Sequence, residues 1–282
     1  MSRVRIVTDS TAYLSEREVE ENGIIVVPLV VNFRNESFKE GETYTNEEFY
    51  QLLRGGGVPT TSQPSAGDFV EAYQRIAEPG AEIISIHLSA GISGTFNSAK
   101  TAAGMLPELD VTVYDSLVTS SGQAFLVREA ARMAAEGASK DDILTVISVM
   151  RHHLRILFMV DTLEYLHRGG RIGGAQALLG TLLQIKPILY VKGEIGVFEK
   201  VRTRPKALAK IVDELVNFCT EKPVEKLRVA VIHVDTPDKA RDLAALIEEK
   251  FPGLPVQIDS VGPVIGSHVG PGTLGVAFTV VP

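Results

Sequence analysis

Short apolar runs bounded by polar or glycine-bearing segments recur through the first half of the chain, and Val4–Val7, Ile83–Leu88 and Val111–Tyr114 read as buried strands. Each is followed by residues with helical spacing: Glu16–Glu21, a segment after Ser93, and one from about Gln123. Strand then helix, repeated, predicts an α/β unit built on a parallel sheet. Two helix starts carry their own punctuation. Thr45-Asn46-Glu47-Glu48 has the spacing of a capping box, and Ser65 stands three residues ahead of Asp68. The hydroxyl residues of such segments are first of all candidates for satisfying free helix amides.

After a helical stretch over Lys140–Arg155 the pattern changes. Pro187–Val191 and Val197–Val201 flank Gly193-Glu194 as the two arms of a hairpin. Helices at about Pro205–Phe218 and Pro237–Lys250 then alternate with strand candidates Val229–Val234, Val256–Val261 and Leu274–Val280, which predicts an α+β unit. A length of 282 residues suits two domains. The boundary is placed near Arg155, giving an N-terminal α/β domain over 1–155 and a C-terminal α+β domain over 156–282.

Composition narrows the functional classes. With 45% hydrophobic and 22% charged residues the chain is an ordinary globular one. A net charge of −7 opposes a phosphate backbone, so nucleic acid is not expected as a partner. The single cysteine, Cys219, allows neither an internal disulfide nor a thiolate metal cluster. The first residues lack the apolar core of a signal peptide, and the longest apolar stretch, Ile24–Val31, falls short of the roughly 18 residues a spanning helix needs. A cytoplasmic protein without a membrane span is expected, with at most transient membrane contact.

Two loops have the chemistry of an anion site. Pro59-Thr60-Thr61-Ser62-Gln63-Pro64-Ser65 packs hydroxyls between two prolines, although a capped helix start explains it as well. Ser89-Ala90-Gly91-Ile92-Ser93-Gly94-Thr95-Phe96 follows a strand and opens a helix, so Ser93, Gly94 and Thr95 are placed to meet a carboxylate or phosphate. Neither loop matches a P-loop, and Gly91-Ile92-Ser93-Gly94-Thr95 ends in threonine where a nucleophile elbow needs glycine. Gly270 to Gly275 formally spells G-x-G-x-x-G, but a strand follows it rather than a helix, so a dinucleotide site is not expected. The whole segment Gly266–Gly275 reads as a turn presenting His268. The other histidines lack metal-site spacing, and neither metal nor cofactor is predicted. Basic corners at Arg168–Arg171 and Arg202–Arg204 could rim an anion site or receive an acidic partner.

Taken together, Thr8-Asp9-Ser10-Thr11, Thr60–Ser65, Ser93-Gly94-Thr95, Asp115-Ser116, Leu163-Glu164-Tyr165-Leu166, Gly169-Gly170-Arg171-Ile172 and His268 with Gly270-Pro271-Gly272 resemble the DegV family along essentially the whole chain. The resemblance implies a protein that holds one long-chain fatty acid in a tunnel. It implies Thr61 and Ser93 as carboxylate donors, His268 beside the same head group, and Ser62, Gly94 and Thr95 as neighbours. Such proteins are similar to the FakB subunit of bacterial fatty acid kinase, which presents the acid to a separate ATP-binding subunit that makes acyl-phosphate. Arg171 and Arg202 match partner-facing basic positions. Two other readings keep the same residues: an autonomous hydrolase or acyltransferase using Ser93 and His268, and a lipid carrier with no kinase partner. Phe96, Leu163 and Ile188 are candidates either for the tunnel wall or for the core.

Overall fold

The computed structural model describes residues 4–180, 185–220 and 222–282. The first strands are Val4–Asp9 (β1), Ile25–Val27 (β2), Val30–Phe33 (β3), Glu36–Lys39 (β4), Thr60–Ser62 (β5), Glu82–His87 (β6) and Asp110–Asp115 (β7). β1, β2, β6 and β7 form a parallel sheet in the order β2-β1-β6-β7, and β3 to β5 form a small antiparallel sheet in the order β4-β3-β5. The remaining strands are Arg155–Met159 (β8), Lys186–Lys192 (β9), Glu194–Val201 (β10), Leu227–His233 (β11), Val256–Ser260 (β12) and Leu274–Val280 (β13). They make a mixed sheet ordered β10-β9-β8-β13-β11-β12, in which only β11 and β12 run parallel.

The helices are Glu16–Asn22 (α1), Asn46–Arg54 (α2), Ala66–Arg75 (α3), Thr95–Met105 (α4), Ser120–Ala135 (α5), Lys140–His153 (α6), Glu164–Arg168 (α7), Arg204–Cys219 (α8), Pro237–Lys250 (α9) and Pro263–Val269 (α10). Both capping boxes read in the sequence form: Thr45 with Glu48 at α2 and Ser65 with Asp68 at α3. α6 stops two residues earlier than its pattern suggests. Leu154 is extended, and Arg155 begins β8, whose continuous apolar run is buried on both faces and has no period of its own to announce a strand.

Strand alternation divides the interior. In β8, Leu157 and Met159 join the α8 and α9 residues in one core cluster, whereas Ile156 and Phe158 face a larger cluster shared with the N-terminal elements. β11 does the same, with Val229 and Val231 on one side and Ala230 and Ile232 on the other. α5 lies between the two large sheets and touches β1, β6, β11 and β13. It is buried nearly all round, which its run of alanines and small residues permits.

Polar clasps join the halves. The Tyr50 hydroxyl donates to the carbonyls of Val261 (2.7 Å) and Gly262 (3.0 Å). Arg54 grips Asp235 with two nitrogens, at 2.9 and 2.6 Å. On the opposite side the Gly193 amide at the β9–β10 tip donates to Leu117 O at 2.7 Å. That tip meets Gly91 so closely that a Cβ there would stand 2.4 Å from Gly193 O, which explains a glycine at this loop position.

Candidate functional site

The face of the six-stranded sheet turned away from α8 and α9 is one wall of a partly enclosed, mostly apolar cavity. Ile156, Phe158, Val191 and Ile232 line it from the strands, Leu29 from the β2–β3 connection and Val264 from α10. All six are buried, and none carries a polar side-chain atom. The cavity is therefore built for an apolar body.

Seven of the described residues lining the same cavity are polar, among them Thr61, Ser93, Arg171 and His268. Thr61 is the middle residue of β5, so alternation turns it from its exposed neighbours Thr60 and Ser62 toward α10. Its hydroxyl shares a 2.7 Å hydrogen bond with His268 Nε2. His268 lies in α10 rather than in the turn its glycine-rich surroundings suggest, one helical turn after Val264 and on the cavity face. The ring presses on Gly169, where a Cβ would meet Nδ1 at 2.1 Å, and Nδ1 is buried with no hydrogen-bond partner among the described residues. Burial, and secondarily the Arg171 cation, push the imidazole down to about 4, so the ring is neutral near pH 7.

Arg171 is itself pinned. Its Nε donates to Ile92 O at 3.0 Å and its Nη1 to Gly169 O at 2.7 Å, which fixes the guanidinium beside the α4 loop. Ser93 stands in that loop, its hydroxyl sharing a 2.9 Å bond with Thr95 Oγ1 and accepting from Thr95 N at 3.3 Å. It thus meets one amide of the α4 start that Gly94, the residue at the N-cap, cannot meet with a side chain. Among the described residues no hydrogen bond joins Ser93 to His268, so no nucleophile–base pair is formed.

α10 is anchored at its first turn. Val264 N donates to Glu40 Oε1 at 2.7 Å, and Glu40 Oε2 accepts from Ser10 Oγ at 2.6 Å. Burial first, and Asp9 among the further causes, raise the Glu40 carboxyl to about 7. A Cβ on Gly262 would lie 2.8 Å from Glu40 Oε1 and 2.6 Å from the Tyr13 ring, so the approach to this helix requires glycine.

The structure thus gathers Thr61, Ser93, His268 and Arg171. Ser62 points outward toward Asn32 Nδ2 at 3.4 Å, Thr95 is fully buried behind Ser93, and Gly94 borders a separate shallow depression. That depression shares Ile92, Ser93, Arg171 and Ile195 with the cavity and is edged by Gly91, Gly94, Gly170 and Gly173. Arg202 is exposed in the β10–α8 connection and lines neither space. Phe96, Leu163 and Ile188 do not line the cavity: Leu163 and Ile188 fill separate core clusters. Wall residues from β8, β11 and α10 escaped the sequence reading because buried strands and core look alike in one dimension. The unpaired hydroxyls of Thr119 and Ser120, also on the wall, carry no motif.

An apolar cavity with hydroxyls, an imidazole and a guanidinium on its wall has the geometry of a cleft for a small amphiphile. The family model described as uncharacterised proteins of the DegV family matches residues 3–280, and the chain belongs to that family. It is similar to a DegV domain-containing protein of Halalkalibacterium halodurans, 42% identical over 99% of both chains. Among solved structures it resembles DegV, a fatty acid binding protein from Bacillus subtilis, at 37% identity and TM-score 0.91, covering 99% of this chain and 100% of that one. A fatty-acid-binding DegV family protein from Thermus thermophilus matches at 36% identity and TM-score 0.89 over the full length of both. Among the described residues no helix is long and apolar enough to cross a membrane.

Proposed function

We propose that this chain binds one long-chain fatty acid and presents its carboxylate to a separate ATP-binding kinase subunit for conversion to acyl-phosphate. The observation that carries the reading is the pairing of an apolar cavity with Thr61, Ser93, Arg171 and His268 on its wall. At ~0.8 kcal/mol per buried methylene, about fifteen of them represent on the order of 12 kcal/mol of gross transfer free energy, from which ligand ordering subtracts. A hydrogen bond from Thr61 or Ser93 to a carboxylate contributes ~1.5–3 kcal/mol. The tail thus holds the ligand and the head group orients it.

Presentation is supported by the depression that shares Ser93 and Arg171 with the cavity, because its four glycines, beside Glu194, leave room for a partner's approach. The partners already taken up by Ser93 and His268 favour binding over hydrolysis by this chain alone. Organic extracts of the protein purified without added lipid should yield one fatty acid per chain by mass spectrometry, and Thr61→Ala/Ser93→Ala should lose most of it. Arg202→Glu, mixed with the kinase subunit and ATP, should keep the acid but form acyl-phosphate at least ~10-fold more slowly, as removal of a charge contact predicts. No co-purifying acid and no uptake of added acid would remove the whole reading. Undiminished acyl-phosphate formation by Arg202→Glu would remove that residue's role, and none by the wild type would leave a carrier.

A further inference from the structure

We propose that Thr119 and Ser120 form a second polar subsite that recognises a hydroxyl group carried on the acyl chain. The proposal rests on the fatty-acid reading above and adds the ligand's chemical class. Both residues line the cavity, and they are only 6% and 2% exposed. Thr119 Oγ1 and Ser120 Oγ are buried and have no hydrogen-bond partner among the described residues. Buried hydroxyls ordinarily find one, and each left without it loses the hydrogen bonds it had with water.

The neighbouring hydroxyls show that local partners are not hard to find in this fold. Ser116 Oγ donates to Val118 O, Ser121 Oγ to Asp259 Oδ2, and Thr273 Oγ1, on the same cavity wall, to the carbonyls of Val269 and Gly270. Thr119 occupies the N-cap of the 16-residue α5, yet its side chain caps no amide, and Ser120 stands at φ 54°, a left-handed conformation that costs a residue with a Cβ some strain. Ser121, next in line, faces away to β12. The backbone at this corner therefore places two consecutive hydroxyl residues on the cavity wall.

The chemistry selects the ligand group. Methylenes offer these oxygens nothing, and a cis double bond has no lone pair. A second carboxylate would be buried beside two neutral hydroxyls, to which no basic side chain is bonded among the described residues. A neutral hydroxyl both donates and accepts, as do Thr119 and Ser120, so the three can form a closed set of hydrogen bonds inside the apolar wall. The head group is already provided for by Thr61, Ser93, Arg171 and His268, so the subsite reads a position along the tail.

The test is a competition binding series with hexadecanoic acid and its monohydroxy positional isomers, run on the wild type, on Thr119→Val, and on Thr119→Val/Ser120→Gly, in which glycine suits the positive φ. Thermal melts of both variants verify folding. We expect one isomer to bind the wild type roughly tenfold or more better than isomers hydroxylated elsewhere, and that preference to shrink to about twofold in the double variant, as a lost buried hydrogen bond requires. A flat series with hexadecanoic acid still bound, or a preference unchanged in both variants, overturns the subsite while leaving fatty-acid binding intact, and the hydroxyls then serve water. If no acid binds at all, the fatty-acid reading falls and the subsite with it.

Discussion

Two histidines in this protein, His87 and the half-buried His268, sit in opposite kinds of surroundings. His87, on β6, is fully buried, and its Nδ1 donates to Asp9 Oδ2 at 3.0 Å while Nε2 shares a 2.6 Å bond with Ser85 Oγ, which in turn accepts from the Tyr73 hydroxyl. Asp9 also accepts from Thr11 N, Thr11 Oγ1, Leu88 N and Gln123 Nε2. Serine, histidine and carboxylate in a row resemble a hydrolytic triad, yet all three side chains are sealed and none lines the cavity. His268 has one bond, one orphaned nitrogen and a cavity beside it. Residue type does not separate the two. A network with every bond made fastens a sheet, whereas one left incomplete at a cavity wall is ready for a ligand.

The largest effect that tests this contrast is on the fastening side. Asp9→Ala strands several buried donors, and we expect a loss on the order of 3–5 kcal/mol in chemical denaturation. A variant as stable as the wild type would break the comparison. Next comes His268→Ala, expected to weaken fatty-acid binding about tenfold while changing stability by only ~1 kcal/mol. A large stability loss there would make His268 a second fastener.

The effect expected to be smallest in the wild type is the pH dependence of stability. Glu40, raised from 4.5 to about 7, binds a proton more tightly folded than unfolded, so its contribution to stability is complete below pH 4.5 and is lost as pH rises through 7. His268, lowered from 6.5 to about 4, has the opposite sense: its contribution is complete above pH 6.5 and is lost as pH falls through 4. The two slopes largely cancel between pH 4.5 and 6.5. In Glu40→Gln the His268 slope should emerge, with stability rising over that window, and in His268→Ala stability should fall over it. Parallel pH profiles for the two variants would show that one of these groups is not buried as described.

Much of the scaffold was legible in the sequence because it rests on local signals. The parallel strands, the β9–β10 hairpin and the capping residues Thr45 and Ser65 follow from periodicity and short-range spacing. Thr8-Asp9-Ser10-Thr11 was conspicuous as a motif, but its meaning was not. Its side chains fasten β1 to β6, α5 and, through Glu40, the α10 helix, contacts separated by up to 224 residues that no local pattern encodes. The head-group residues Thr61 and Ser93 were legible as hydroxyls in loops. Which faced inward depended on β5 being a strand, and three residues between prolines are too few to show alternation. The helix around His268 was hidden because Gly266 and Gly270, which read as turn residues, instead clear space for Tyr50 and Tyr165.

The cavity wall is drawn from the largest core cluster itself, with Leu29, Ile156, Phe158, Val191, Ile232 and Val264 serving both. An occupant bound there would complete the interior of the fold, and at a free concentration a hundredfold above its dissociation constant it would add about 2.7 kcal/mol to folding. An unloaded chain would visit open states more often and be cleaved sooner by proteases. Abundance could then follow supply with no dedicated regulator: the persistence of the protein in the cell would itself record whether its lipid had recently been present.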